Sequence, residues 1–100
     1  MYVTLLECSE VRRKYVIYKN EHDSGFVGYL VIEKYDTYWN IELMEIAVVK
    51  RQGYGTYLLQ YVIKDMTDMT KLITTHPITP EARQFFVKNG FDKDTYYYHI

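Results

Sequence analysis

The apolar positions along this chain change their period several times, and each change marks an element. Over residues 2–7, Val3, Leu5 and Leu6 come close to alternating with polar neighbours, which predicts a strand. Residues 14–19 and 26–33 are dense in β-branched and aromatic side chains. They flank the polar stretch Asn20-Glu21-His22-Asp23-Ser24-Gly25, the pattern of a hairpin. Apolar residues fall on both faces of these strands, so a sheet covered on both sides is expected. Residues 35–40 read as a second turn and 41–49 as the next strand. From Tyr54 to Met66 the period lengthens, and Leu58, Leu59, Val62, Ile63 and Met66 recur at helical spacing. A strand over 71–75 follows. Thr79 then stands as an N-cap, with Pro80 in the first helical position and Glu81 in the first turn. Asn89-Gly90 ends this helix and lets Phe91 fold back onto it. Residues 95–100, which carry Tyr96-Tyr97-Tyr98, predict a last strand.

Chemistry concentrates where the strand over 41–49 meets the first helix. The junction reads Lys50-Arg51-Gln52-Gly53-Tyr54-Gly55, a basic turn punctuated by glycine. Such a turn suits a phosphorylated ligand. Glycines let the backbone come close, and the unpaired N–H groups of a helix's first turn point at an anion. Lys50 and Arg51 add positive charge at the same place.

The same junction resembles the acetyl-CoA signature of the GNAT acetyltransferase superfamily, Arg/Gln-x-x-Gly-x-Gly/Ala, with Lys50 in the first position. A second block, Ala82-Arg83-Gln84-Phe85-Phe86-Val87-Lys88-Asn89-Gly90-Phe91, resembles the family's closing helix, and Gly25-Phe26-Val27-Gly28-Tyr29-Leu30 is similar to the strand before its cofactor strand. The resemblance implies an α+β architecture, the acyl-CoA N-acyltransferase fold, whose mixed and mostly antiparallel sheet is flanked by two main helices. It implies acetyl-CoA as co-substrate and an amine as acceptor, joined by direct transfer in a ternary complex. Ile46, Ala47 and Val48 would pair with the pantetheine arm like an added strand. Lys50, Arg51, Gln52, Gly53, Tyr54, Gly55 and Thr56 would hold the pyrophosphate.

Transfer to an amine needs the neutral nucleophile. Deprotonating a lysine of pKa about 10.4 at pH 7 costs roughly 4–5 kcal/mol, so a base is required. Some family members carry a catalytic glutamate on the cofactor strand; Glu42 occupies the matching distance. Glu45 would face the opposite way by strict alternation unless a bulge intervenes. His76, at the end of the strand over 71–75, is the other candidate, its ordinary pKa being suited to a base. A solvated strand carboxylate and a loop histidine are the plain alternatives for these residues. The family's usual general acid is a tyrosine, and here Phe86 stands in its place.

The family also places two helices after its first strand, for which residues 7–13 are too few. An open acceptor site follows, suited to a bulky acceptor such as a protein; the alternative is that a second subunit supplies the missing wall. Pared-down members of this kind resemble small phage acetyltransferases. Phe86 and the shortened region keep a second reading open, that of a GNAT-fold module that binds CoA or a partner without catalysis.

Composition narrows the choice. The 100 residues suit one domain, and 48% hydrophobic content excludes a disordered chain. Twelve basic residues against thirteen acidic ones leave a net charge of −1, which argues against a basic nucleic-acid-binding face. No apolar run reaches the roughly 20 residues of a membrane span. A lone cysteine, Cys8, suits a reducing cytoplasm, and no cluster has metal-ligand spacing.

Overall fold

Six strands stand side by side in chain order, and two helices pack on one face of the sheet they form. The computed structural model describes residues 1–22, 25–46, 53–66, 71–74 and 79–99. The elements are β1 (Tyr2–Cys8), β2 (Arg12–Tyr18), β3 (Gly28–Tyr35), β4 (Tyr38–Ile46), α1 (Tyr54–Asp65), β5 (Lys71–Thr74), α2 (Pro80–Lys88) and β6 (Tyr97–His99). All neighbouring strands are antiparallel except β4 and β5, which run parallel because α1 carries the chain across between them.

The predicted elements are all present, with shifted ends. Strands β2 and β3 lie two residues from their expected starts, the former earlier and the latter later. An ion pair explains part of this. Arg12 Nη1 lies 2.6 Å from Glu33 Oε1, and the two residues are direct cross-strand partners, so polar ends stay in the ladder. The turn expected over 35–40 is only Asp36-Thr37, with Tyr35 and Tyr38 paired across it. Asp36 adopts a φ of +40°, the left-handed geometry two-residue hairpin loops favour. The Tyr35 and Tyr38 rings stack at 5.7 Å, which carries both strands to the very edge of the loop. Between β1 and β2 there is room only for a turn, as the short spacing predicts. Ser9 Oγ accepts from the backbone N–H groups of Val11 and Arg12 and turns the chain directly.

The core occupies one face of the sheet. Val3, Tyr15, Ile17, Leu30, Ile32, Trp39, Ile41 and Leu72 point toward Leu58, Leu59 and Val62 of α1 and Phe86 of α2. Leu58, Leu59 and Val62 are wholly buried, each worth about 1.5–3 kcal/mol. Thr79 Oγ1 caps α2 by accepting from the Ala82 N–H at 3.1 Å. At the other end Phe91 N–H reaches Phe86 O and Gly90 N–H reaches Val87 O, a full glycine-closed cap, with the Phe86 and Phe91 rings 5.2 Å apart.

The expected second cover does not exist among the described residues. The opposite face holds Val16, between Thr4 and Tyr29, and Val31, between Lys14 and Leu43. Both are nearly inaccessible, because long neighbouring side chains rather than a helix enclose them. No helix among the described residues is long and apolar enough to cross a membrane.

Candidate active site

Strands β4 and β5 are paired only from Trp39 to Ile41 on one side and Leu72 to Thr74 on the other. Beyond Ile41, β4 runs on for five residues bonded to β3 but without a partner in β5 among the described residues. At that point the ladder with β3 also changes. Val31 faces Leu43 while Ile32 faces Ile41, so Glu42 is an extra residue, a β-bulge. The bulge therefore falls at Glu42, one residue after the last β4–β5 pair among the described residues.

The bulge decides which way each side chain points. Before it, Trp39 and Ile41 face the helices; after it, Met44 and Ile46 do, packed on the core while partly exposed. Glu45 is thereby turned to the open face, and Glu42 shares that face through its contacts. Strict alternation would have opposed the two carboxylates. Each is held by a tyrosine of β3. Tyr35 Oη donates to Glu42 Oε1 at 2.7 Å, and Asn40 Nδ2 donates to the same oxygen at 3.0 Å. Tyr29 Oη donates to Glu45 Oε2 at 2.7 Å, with Lys14 Nζ 5.1 Å from the Tyr29 ring centre. The hydrogen bond to Glu42 is the main reason that the Tyr35 phenol is pushed up to about 12, and that to Glu45 raises Tyr29 likewise.

At the start of α1, Gly53 is the N-cap at a φ of +80°, a conformation that excludes most side chains and provides no side-chain cap. The N–H groups of Tyr54, Gly55 and Thr56 have no partner among the described residues, and no acidic residue lies in the first turn. Tyr54 is buried and Thr56 exposed. This end of α1 abuts the end of β4, because a Cβ built on Gly55 would lie 3.3 Å from the Phe85 ring and 3.7 Å from Met44 Cε. Of the residues expected to contact the cofactor, Ile46, Gly53, Tyr54, Gly55 and Thr56 lie within the described structure; Ala47, Val48, Lys50, Arg51 and Gln52 lie outside the described residues, as does His76.

Phe86, at the family's tyrosine position, is 7% exposed and wedged edge-on between Phe85 and Phe91. Tyr98 packs on Phe91 at 5.5 Å, and Lys71 Nζ sits 3.6 Å from the Tyr97 ring centre. The described residues hold no group of three or more metal-ligating side chains. Sequence reasoning missed Tyr35, Tyr29 and Asn40. Their link to the glutamates depends on hairpin register and on the bulge, and only a two-residue loop at Asp36-Thr37 would have put Tyr35 within reach of Glu42.

A mixed six-stranded sheet with one parallel pair joined through a helix, and a second helix on the same face, fits the acyl-CoA N-acyltransferase architecture. The sequence profile of the acetyltransferase (GNAT) family matches residues 2–91, and the chain belongs to that family. No curated protein matches it in sequence. Tetrahymena Gcn5 shares the fold at a TM-score of 0.70 and 22% identity, over 86% of this chain and 54% of that one. An acetyltransferase of the GNAT family from Desulfovibrio desulfuricans, itself described as putative, is similar at 0.66 and 18%, over 82% and 55%. The chain thus spans about half the length of both. The anti-CRISPR protein AcrVA5 is similar at a TM-score of 0.57 and 20% identity, over 84% of this chain and 88% of that one, so the fold also occurs at about this size.

Proposed function

We propose that residues 1–100 act as an acetyl-CoA-dependent N-acetyltransferase on an amine of a protein acceptor. One observation carries the reading: a bulge and a carboxylate coincide at Glu42, on the strand that leads to the α1 N-terminus. Family membership supports acetyl-CoA as the donor. The flank of β4 after Ile41 has no described partner in β5 and suits the pantetheine arm. The N–H groups of Tyr54, Gly55 and Thr56, which have no described partner, suit the pyrophosphate. The amine nitrogen attacks the thioester carbonyl carbon, the C–N bond forms and the C–S bond breaks. Glu42 takes the proton that the nitrogen loses, and the departing thiolate takes one from water, since Phe86 has none to give. This face, over which no described helix lies, supports a protein acceptor, for beside Glu42 it presents Leu43, 55% exposed.

The test combines a melt with mass spectrometry. Acetyl-CoA at 100 times its Kd should stabilise the protein by about 2.7 kcal/mol, and lysate proteins should gain acetyl groups only when enzyme and donor are both present. Stabilisation without acetylation would favour the second reading, a CoA-binding interaction module, which the burial of Phe86 in the core supports. Absence of both stabilisation and acetylation would reject the enzyme.

A further inference from the structure

The two strand carboxylates are held differently. Glu45 has one donor, Tyr29, on Oε2. Glu42 has two donors, Tyr35 and Asn40, and both address Oε1. No described residue donates to Glu42 Oε2, and no described cation pairs with Glu42. A carboxylate gripped through one oxygen has its plane fixed, and its remaining lone pairs point one way.

The grip is itself braced. The Tyr35 ring stacks on Tyr38 with an interplanar angle of 20°, directly across a two-residue loop, so the phenol has little room to swing. Asn40 is 8% exposed and sits in the stretch of β4 bonded on both sides, to Glu33 in β3 and Ile73 in β5. The rival acceptor for Tyr35 is held farther off. Glu33 Oε2 lies 3.5 Å from Tyr35 Oη, against 2.7 Å for Glu42 Oε1, and Arg12 grips Glu33 through its other oxygen. Tyr35 therefore commits to Glu42, and its raised pKa keeps the donating proton in place across the range in which an acetyltransferase works.

We infer that Tyr35 and Asn40 are positioning residues that clamp Glu42 Oε1 and present Oε2 to the acceptor amine. This rests on the acetyltransferase reading above. In the reaction, Oε2 takes the proton from the attacking nitrogen while Oε1 keeps both hydrogen bonds. The two donors spread the carboxylate's charge and hold its orientation through the proton transfer. Neither Tyr35 nor Asn40 gains or loses a proton. The clamp also separates the two glutamates by role, since Glu45 lacks the second donor that would fix its plane.

The experiment compares wild type, Tyr35→Phe, Glu42→Gln and Tyr29→Phe. Poly-lysine serves as acceptor probe, CoA release as the rate signal and thermal melting as the fold control. Tyr35→Phe keeps the ring and its stack and removes only the donor. Its kcat should fall about 10- to 100-fold, the range set by one hydrogen bond to a charged group, with the KM for acetyl-CoA unchanged. Tyr29→Phe, which removes the single donor to Glu45, should lower kcat far less than Tyr35→Phe does. A second measurement needs no turnover: absorbance at 295 nm should show one tyrosine titrating near pH 12 in wild type, returning toward about 10 in Glu42→Gln. A folded Tyr35→Phe with wild-type kcat, or with its loss confined to the KM for acetyl-CoA, overturns the clamp alone. An unaltered tyrosine titration in Glu42→Gln also overturns it. A wild type that transfers no acetyl group, or a fully active Glu42→Gln, overturns the reading beneath it.

Discussion

Gly55 lies against Phe85, so that a methyl group added to the glycine would stand 3.3 Å from the ring edge. This contact fastens the first turn of α1 to α2 just where β4 ends. On the other side of that end, Gly28 fits beneath the backbone of its β4 partners. A Cβ on Gly28 would come within 2.7 Å of the Glu45 carbonyl oxygen and 2.5 Å of Ile46 Cδ1. The two glycines differ in what they touch, and the difference has measurable consequences.

Gly28→Ala should destabilise the protein by about 1–3 kcal/mol, because a backbone carbonyl has to move. Gly55→Ala should change stability by less than about 1 kcal/mol. There the partly exposed Phe85 ring gives way, and alanine's better helix propensity offsets the contact. Thermal melts of the two variants side by side check this; equal losses would mean that Phe85 is as fixed as the strand.

Glu42→Gln keeps the side chain's size and leaves an amide where the carboxylate was. Acetyl transfer should fall by about 10²–10⁴, the usual contribution of a positioned base. Glu45→Gln, with one tyrosine partner and no clamp, should lose far less. Rates on any acceptor, each normalised to folded protein, decide between them. A larger loss at Glu45 would reassign the base.

Asp92 shapes the loop between α2 and β6. Its carboxylate accepts from the N–H groups of Asp94 and Thr95, at 2.8 and 3.0 Å, and these bonds hold its pKa below the ordinary value. A depressed carboxylate adds stability that is fully present above its unfolded pKa of about 3.9 and is lost as pH falls below it. Asp92→Ala should therefore lower the melting temperature at pH 7 and flatten its decline between about pH 5 and 2. An unchanged acid limb would assign that decline to other carboxylates.

The alkaline side has the opposite sign. Tyr15, Tyr29 and Tyr35 are all raised, Tyr15 chiefly by burial and by its hydrogen bond to Asp65. Their contribution is fully present below about pH 10 and is lost as pH rises through the raised values. Unfolding midpoints in urea should decline above pH 10, and less steeply in Tyr35→Phe than in wild type.

Much of the fold was legible, for physical reasons that can be named. Helical spacing over Leu58, Leu59 and Val62 requires a buried stripe, and that stripe is in the core. Thr79-Pro80 and Asn89-Gly90 are local devices whose geometry depends on few residues beyond their own, and both ends of α2 formed as expected. Glu42 was singled out by the family resemblance, which said nothing of its surroundings. A bulge is a property of two strands together, and nothing within residues 41–49 alone says that Val31 skips a partner there. The uncovered face misled for a related reason. Val16 and Val31 signal burial correctly, yet composition does not distinguish a helix overhead from a ring of tyrosine and lysine side chains.

Strand β4 is interior for its first half and, among the described residues, an edge for its second. Exposed edges are commonly guarded by charges or prolines, because any extended chain can dock on them. This flank of β4 therefore offers its backbone groups to an extended ligand with no described strand in competition. Amide exchange reads the same feature directly: the N–H groups of Leu43 to Ile46 that point away from β3 should exchange quickly in the free protein, and slow down once acetyl-CoA is bound.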